Sequence, residues 1–470
     1  CSEIAAHRLL RSSGLSPCLH TIINSGGKFY LLVPALPRVK ESIAQMQSFA
    51  DEWFLNNLNG ELSLNLALTE FGGAGFRASG DGKSGFGSIL AESSHVLDIQ
   101  KHQRFRQTIV SNNAGQESSF VLPLSYEGQA PCRSCHKFPQ QKEELCQHCW
   151  LDREIGARLP KAEYIAFFDS PDAGHIPILG YSATVITSPP NIKRNTPYLT
   201  LKLNNPDLTT LTDQPAAVKY LANFVALPDE CPVCQKDKPS IASFECLANR
   251  ANGRKLIGAL KADVDNLGKT FIFGLKRNTY SMDTISRMST LSRMLDLFFT
   301  GWVEHLAREN KDLYVVYSGG DDLFIIAPWD ELLLFAGKLR TEFARFTGNP
   351  DITLSAGITI SKHSYPIARA ARDADEALEQ SKHYKKNDSQ EESKKDSITL
   401  LGRTLRWPEW EAICPIWQGL VKFLSEVSSA FLYQLLALSD ILQGSKNGDT
   451  LRLRFYPLLA YNIARNLDPK

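Results

Sequence analysis

At 470 residues the chain has room for two to four domains, and 43% hydrophobic with 22% charged residues is the make-up of a globular protein. Its 52 basic and 51 acidic side chains nearly cancel, so no overall electrostatic footprint for nucleic acid exists and any such contact must rest on local patches. No apolar run approaches the roughly 18 residues of a membrane span and no secretory signal is visible, so no membrane contact is expected and a cytoplasmic location is.

The chain opens on Cys1 rather than methionine, which reads as a fragment or a truncated front. Residues 1–125 are expected to form a first α/β domain. A helix over 2–13 leads to a strand at 19–24, then Ser25-Gly26-Gly27-Lys28, then a second strand at 29–33. A helix over about 39–57 and a strand at 62–68 complete the series. Residues 72–88 form a glycine- and serine-rich loop. Gly82-Lys83-Ser84 hints at a phosphate loop, but the glycine required five positions earlier is Arg77, so that reading fails. Arg77, Lys83 and the basic stretch 101–106 are candidate RNA or subunit contacts, or a solvated face.

Residues 126–160 carry Cys132-x2-Cys135 and Cys146-x2-Cys149. Four thiolates at this spacing can close a tetrahedral Zn²⁺ site, in which the metal substitutes for a core and leaves no open position for chemistry. His148 is the alternative fourth ligand. Residues 161–230 read as short strands and loops broken by prolines. Cys231 and Cys234 form a further knuckle whose nearest partner, Cys246, fits a buried helical position better.

Residues 231–402 hold the stretch with the most chemistry. An apolar strand ends in Asp263-Val264-Asp265-Asn266, a long helix over about 284–310 follows, and a strand at 313–318 runs into Ser318-Gly319-Gly320-Asp321-Asp322. Gly-Gly between two apolar runs predicts a two-residue hairpin turn with both aspartates opening the return strand. Neighbours on a strand point to opposite faces, so Asp321 and Asp322 should diverge unless the turn bends, with Asp321 the better ligand. A helix from Asp330, a strand at 352–360 and a helix over about 366–384 give the order β-α-β-β-α-β. That order brings Asp263 beside Asp321 and Asp322, where carboxylates can hold two Mg²⁺ or Mn²⁺ ions for phosphoryl transfer. An acidic hairpin tip is the plain alternative. Residues 385–395 are a charged, low-complexity insertion, and a strand at 397–401 closes the domain. Residues 403–470 turn helical, with aromatic and aliphatic residues at spacings of three and four.

Several spaced motifs together carry a resemblance: Lys261-Ala-Asp-Val-Asp-Asn-Leu-Gly268, the helix around Ile285 and Leu291, Tyr317-Ser-Gly-Gly-Asp-Asp-Leu-Phe324, Leu354-Ser-Ala-Gly-Ile358 and Tyr365-Pro-Ile367. They are similar to the palm domains of GGDEF-type cyclases and polymerases. Across the whole chain the resemblance is to the large subunit of type III CRISPR effector complexes, the Csm type, with the Cmr type as its alternative branch. The fold implied is α+β: two ferredoxin-like palm domains, a zinc-binding segment between them and a C-terminal helical bundle. Ser25-Gly-Gly-Lys aligns with Ser318-Gly-Gly-Asp, so the first palm reads as a duplicate that has lost its carboxylate and whose first strand lies ahead of Cys1. The family's N-terminal HD nuclease domain would also lie there. No His-Asp dipeptide occurs in the 470 residues, so DNase activity is not expected of them.

The resemblance implies target-RNA-activated synthesis of cyclic oligoadenylates from ATP. Asp263, Asp321 and Asp322 would be catalytic and, with the Val264 carbonyl, bind the metals. Ser318, Gly319, Gly320, Asn266, Lys382 and Lys386 would meet the nucleotide, and Gly26 and Gly27 would help hold a second one. Lys382 and Lys386 also suit a helix C-terminus through its dipole alone. Implied partners are guide and target RNA, the small subunits and the 5′-handle-binding subunit. A free-standing dinucleotide cyclase and a non-catalytic RNA-binding scaffold are the competing readings.

Overall fold

The computed structural model describes the chain apart from residues 26, 77–84, 107, 109–124, 127, 193–194, 229–240, 275–282, 385–394, 424–427, 447–453 and 468–470. Cys231, Cys234, Lys386, Gly26, Arg77 and Lys83 therefore lie outside the described residues. Contacts divide the chain into Cys1–Thr404 and Leu405–Lys470.

The first unit opens with α1 (Ser2–Ser12), which buries Ile4, Ala5, Leu9 and Leu10 at helical spacing. A helical turn (Pro17–His20) leads into the hairpin β1 (Thr21–Ser25) and β2 (Lys28–Leu31), closed by Gly27 at φ +74°. α2 (Pro37–Leu58) starts on proline, whose missing N–H costs nothing at a first turn, and ends on left-handed Asn59. The strand expected at 62–68 does not form. Gln47 of α2 instead donates to its Leu64 carbonyl at 2.7 Å and accepts from its Leu66 N–H at 2.8 Å. α3 (Phe86–His102) follows.

After the cysteine-rich turns comes α4 (Gln147–Arg158), then β3 (Tyr164–Phe168), β4 (Ile176–Ile178), β5 (Tyr181–Ile186), β6 (Leu199–Leu203) and β7 (Ala216–Lys219). These strands form one sheet in the order β4-β5-β3-β6-β7. Its core is Phe167, Ala183, Val185, Leu199 and Leu201, closed by Ile4 of α1.

α5 (Phe244–Arg250) buries Cys246 completely and precedes β8 (Ile257–Val264), the central strand of a second sheet. After α6 (Leu267–Phe273), α7 (Ile285–Leu297) and α8 (Val303–Glu309) are joined through a π-helical turn, Phe298–Trp302. Then come β9 (Tyr314–Gly319), β10 (Asp322–Pro328), α9 (Trp329–Thr347), β11 (Leu354–Ser361), α10 (Ile367–Lys382), β12 (Ser397–Leu400) and β13 (Arg403–Arg406). The sheet runs β13-β12-β11-β8-β10-β9, and the connections up to β11 follow the split β-α-β-β-α-β order. β8 is antiparallel to both β10 and β11. Gly357 allows α10 to lie against β11: a Cβ there would sit 2.2 Å from the Leu378 nitrogen.

The second unit consists of α11 (Trp407–Phe423), α12 (Ser429–Lys446) and α13 (Phe455–Leu467).

Candidate active site and metal centre

The turn between β9 and β10 differs from the expectation by one residue. Gly319 pairs with Asp322, so the two turn residues are Gly320 and Asp321 rather than the two glycines. Only Gly320 needs the left-handed region, at φ +74°, while Gly319 remains in the strand with Thr300 Cγ2 3.7 Å from where its Cβ would be. Asp296 of α7 fixes this turn by accepting the Gly320 N–H, and burial raises its pKa. The π turn adds a second anchor. Its residue Phe299 offers its carbonyl to the buried Ser318 hydroxyl at 2.6 Å, so the Ser318 side chain is committed to holding the hairpin.

Register then brings the acids together. Asp322 lies directly opposite Asp263, and the Val264 N–H donates to the Asp321 carbonyl at 3.0 Å. Because Asp321 belongs to the turn, it escapes strand alternation, and both aspartates line one cavity of about 270 Å³ with Asp263. The expected divergence does not occur. Lys382, at the last turn of α10, completes the wall with its Nζ 2.7 Å from Asp263 Oδ2.

The electrostatics are those of crowded carboxylates beside two lysines, Lys261 and Lys382. Burial first, then the charges of Asp263 and Asp322, push Asp321 up to about 6. Burial and Asp263 raise Asp322 as well, against the nearby Lys261. Burial alone would lower Lys382, but its bond to Asp263 and then Glu379 outweigh that and hold the ammonium above its usual range. Like charges at one site make each ionisation harder, and a divalent cation would relieve both. The donor chemistry, hard oxygen ligands on three carboxylates, suits Mg²⁺ or Mn²⁺.

Sequence reasoning missed three neighbours. Lys261 lines the cavity and pairs with Asp375 of α10 at 2.9 Å, and Tyr317 directs its hydroxyl at Asp322 Oδ2 from 3.4 Å. Strand alternation from Asp263 would have found Lys261, and a two-turn step back from Lys382 would have found Asp375. Asp265, the other acid of the Asp-x-Asp, serves the fold instead: its Oδ2 accepts the Thr353 hydroxyl at 2.7 Å and the Asp396 N–H at 2.9 Å. Asn266 adopts φ +54° ahead of α6 and does not line the cavity with the aspartates. Gly27 lines a different cavity, in the first domain.

The cysteine quartet forms a separate centre. The sulfurs of Cys132, Cys135, Cys146 and Cys149 all lie within 4.8 Å of one another, and Cys135 and Cys146 are 3.8 Å apart. A tetrahedron with Zn–S bonds of 2.3 Å has edges of about 3.8 Å, so the donor set fits Zn²⁺. Burial would raise Cys132, yet backbone N–H groups of Cys135, Cys146 and Ser134 turned toward its sulfur hold it down to about 6. Burial drives Cys149 up to about 12. His148 packs edge-on against Phe138, with ring centroids 5.3 Å apart, outside the quartet.

Two family models and several known proteins match this chain. The family described as Cas10/Cmr2, second palm domain, matches residues 256–390, and Csm1 subunit domain B matches residues 1–115. A Methanocaldococcus jannaschii protein named CRISPR system single-strand-specific deoxyribonuclease Cas10/Csm1 (subtype III-A) is 37% identical over 210 residues, 40% of this chain and 26% of its own length. The Enterococcus italicus protein of the same name is 26% identical over 461 residues, 95% of this chain and 55% of that protein. In fold, the chain resembles the crystal structure of a Csm1-Csm4 cassette in complex with cA4, with a TM-score of 0.67 at 19% identity over 99% of this chain and 60% of that one. The chain thus spans little more than half the length of the relatives it matches from end to end.

Proposed function

We propose, for a chain that belongs to the Cas10/Csm1 family of subtype III-A CRISPR large subunits, a nucleotidyltransferase that joins ATP 3′–5′ into cyclic oligoadenylates at its second palm. One observation carries this reading: Asp263 and Asp322 in direct register, Asp321 in the turn beside them and Lys382 on α10 all line one cavity. Asp263, Asp321 and Asp322, with the Val264 carbonyl, would hold two Mg²⁺ or Mn²⁺ ions, which lower the pKa of the attacking 3′-hydroxyl and neutralise the departing pyrophosphate.

The chain's own part is positioning. The 3′-oxygen attacks the α-phosphorus, the new P–O bond forms as the α–β bridge breaks, and pyrophosphate leaves. Lys382 pairs with Asp263 in the free protein and would be the cation that meets the triphosphate. Gly319 and Gly320 present backbone without side chains, so phosphates can approach the turn closely. The resemblance adds Asn266, Ser318 and Lys386 as further nucleotide contacts. Around Gly26 and Gly27 the first domain, a palm without carboxylates, would hold the second ATP.

A solved relative pairs with Csm4 and holds cA4, which supports both the product class and a Csm-type assembly for this chain. Its partners would be guide and target RNA, the small subunits and the 5′-handle-binding subunit. The cysteine quartet would carry a structural Zn²⁺. Among the described residues no helix is long and apolar enough to cross a membrane, in keeping with a cytoplasmic complex.

The test is incubation of the chain, alone and assembled with its partner subunits and target RNA, with α-labelled ATP and Mn²⁺. Cyclic adenylates that vanish in the Asp321→Ala/Asp322→Ala double variant are expected. No product from a complex with bound target would leave a scaffold, and product from GTP instead would indicate a dinucleotide cyclase.

A further inference from the structure

The strand that leads into the acidic turn carries a bulge. Tyr317 pairs with Phe324 and Val315 with Ile325, so Val316 has no residue opposite it. One extra residue moves every later side chain of β9 to the other face of the sheet. Without it, Val316 would stand opposite Phe324 and Tyr317 would face the other way. The bulge instead turns Ser318 toward the π turn, where it reaches the Phe299 carbonyl, and Tyr317 toward the carboxylates.

Directly opposed residues share a face, so this side of the sheet is ordered in two rows. The upper row is Gly319, Asp322 and Asp263, and the lower is Tyr317, Phe324 and Lys261. Two residues along a strand separate the rows by about 7 Å, a span that one ribose covers between a phosphate and its base.

The lower row has the chemistry that a base requires. Among the described residues, Tyr317 is the single aromatic side chain lining the cavity. Its ring rests on the buried Phe324, with centroids 6.0 Å apart, yet 39% of the residue stays exposed on this edge strand. Leu378 adds an apolar side chain from α10, and the Lys261–Asp375 pair supplies a donor and an acceptor to the same cavity. The Tyr317 hydroxyl stands 3.4 Å from Asp322, beyond the usual O–H···O range of about 2.5–3.0 Å, so holding that carboxylate does not account for the ring.

We propose that Tyr317 is the base platform of this site: the purine of the nucleotide whose triphosphate meets the aspartates stacks on its ring. Every base has a π face to offer, and a bulge beside an active site is a device that re-aims one side chain. The proposal rests on the nucleotidyl transfer inferred above, for which it names the residue that holds the substrate's base.

Calorimetry on the purified chain with Mn²⁺ compares ATP with inorganic tripolyphosphate, which has the phosphates and no base. The parent binds ATP more tightly. Tyr317→Ala loses at least about fivefold in ATP affinity, the worth of one stacked base, while tripolyphosphate binding stays within about twofold. Tyr317→Leu, which keeps an apolar side chain over Phe324, shows the same loss in a chain with the parent's melt, and Tyr317→Phe keeps the parent's preference. Equal weakening of both ligands in Tyr317→Ala overturns the proposal, because the residue would then act through Asp322 and the metals. So does an unchanged ATP affinity, a Tyr317→Phe protein as weak as Tyr317→Ala, or a parent that binds ATP no better than tripolyphosphate. The expected binding pattern with no product from the assembled complex would leave the stacking in place and remove the proposed activity instead.

Discussion

The two glycine hairpins of this chain share a Ser-Gly-Gly start but differ by one residue in register and differ in chemistry. Both close on a glycine at φ +74°. After Gly27 comes Lys28, exposed at the start of β2, whereas after Gly320 come Asp321 and Asp322, set against Asp263 on the neighbouring β8. The turn by itself is only a platform. What sets the second one apart is the third strand, which supplies a carboxylate in register, and the helix behind it, which supplies Lys382.

The sharpest break of that contrast is to make the second hairpin resemble the first. Asp321→Ala with Asp322→Ala should lower cyclic-adenylate formation by at least about a thousandfold, since metal-borne charge stabilisation is worth several kcal/mol. Labelled-ATP turnover measures it, and a thermal melt no lower than the parent's shows that the fold survives.

Gly357→Ala should follow in size. Its Cβ would meet the α10 backbone at Leu378, so the helix must move, with a cost of about 1–3 kcal/mol by chemical denaturation. Turnover should fall too, because Lys382 and Asp375 move with the helix. Normal turnover in a stable Gly357→Ala protein would remove α10 from the account of the site.

Lys382→Ala is expected to raise the KM for ATP about tenfold, the loss of one charge-assisted contact, with a smaller change in kcat. A smaller effect separates the carboxylates themselves. Asp321 has a folded-state pKa of about 6, above its ordinary 3.8, so its neutral form is favoured in the folded chain. Its stabilisation is complete below about pH 4 and is lost as the pH rises through 6. Without divalent cation, the melting temperature should fall over that window, and Mg²⁺ or Asp321→Asn should flatten the fall. Least of all should happen on Lys28→Asp. Among the described residues the first hairpin has only β1 and β2, with no third strand to set a carboxylate in register, so neither metal affinity by calorimetry nor turnover should change.

Local chemistry was legible from the residues. The apolar runs into and out of Gly319-Gly320, the Asp-x-Asp at a strand end and the two cysteine knuckles each follow from short-range rules of turns, alternation and ligand spacing. The order β-α-β-β-α-β was legible for the same reason, since each element is marked by its own periodicity and breakers. Other features were decided by contacts between segments far apart in the chain. Segment 62–68 has a strand's sequence but forms no strand, and Gln47 bonds the Leu64 carbonyl and the Leu66 N–H. The turn closes on Gly320 and Asp321 because Asp296 and the π turn at Phe299 fix it from a helix more than a dozen residues away. Of the two acids in Asp-x-Asp, Asp263 faces the cavity and Asp265 is spent on Thr353 and Asp396, a choice no local pattern contains. Spacing along the chain determines which groups can point together, but only packing determines which of them are left free of structural bonds, and those are the ones that can do chemistry.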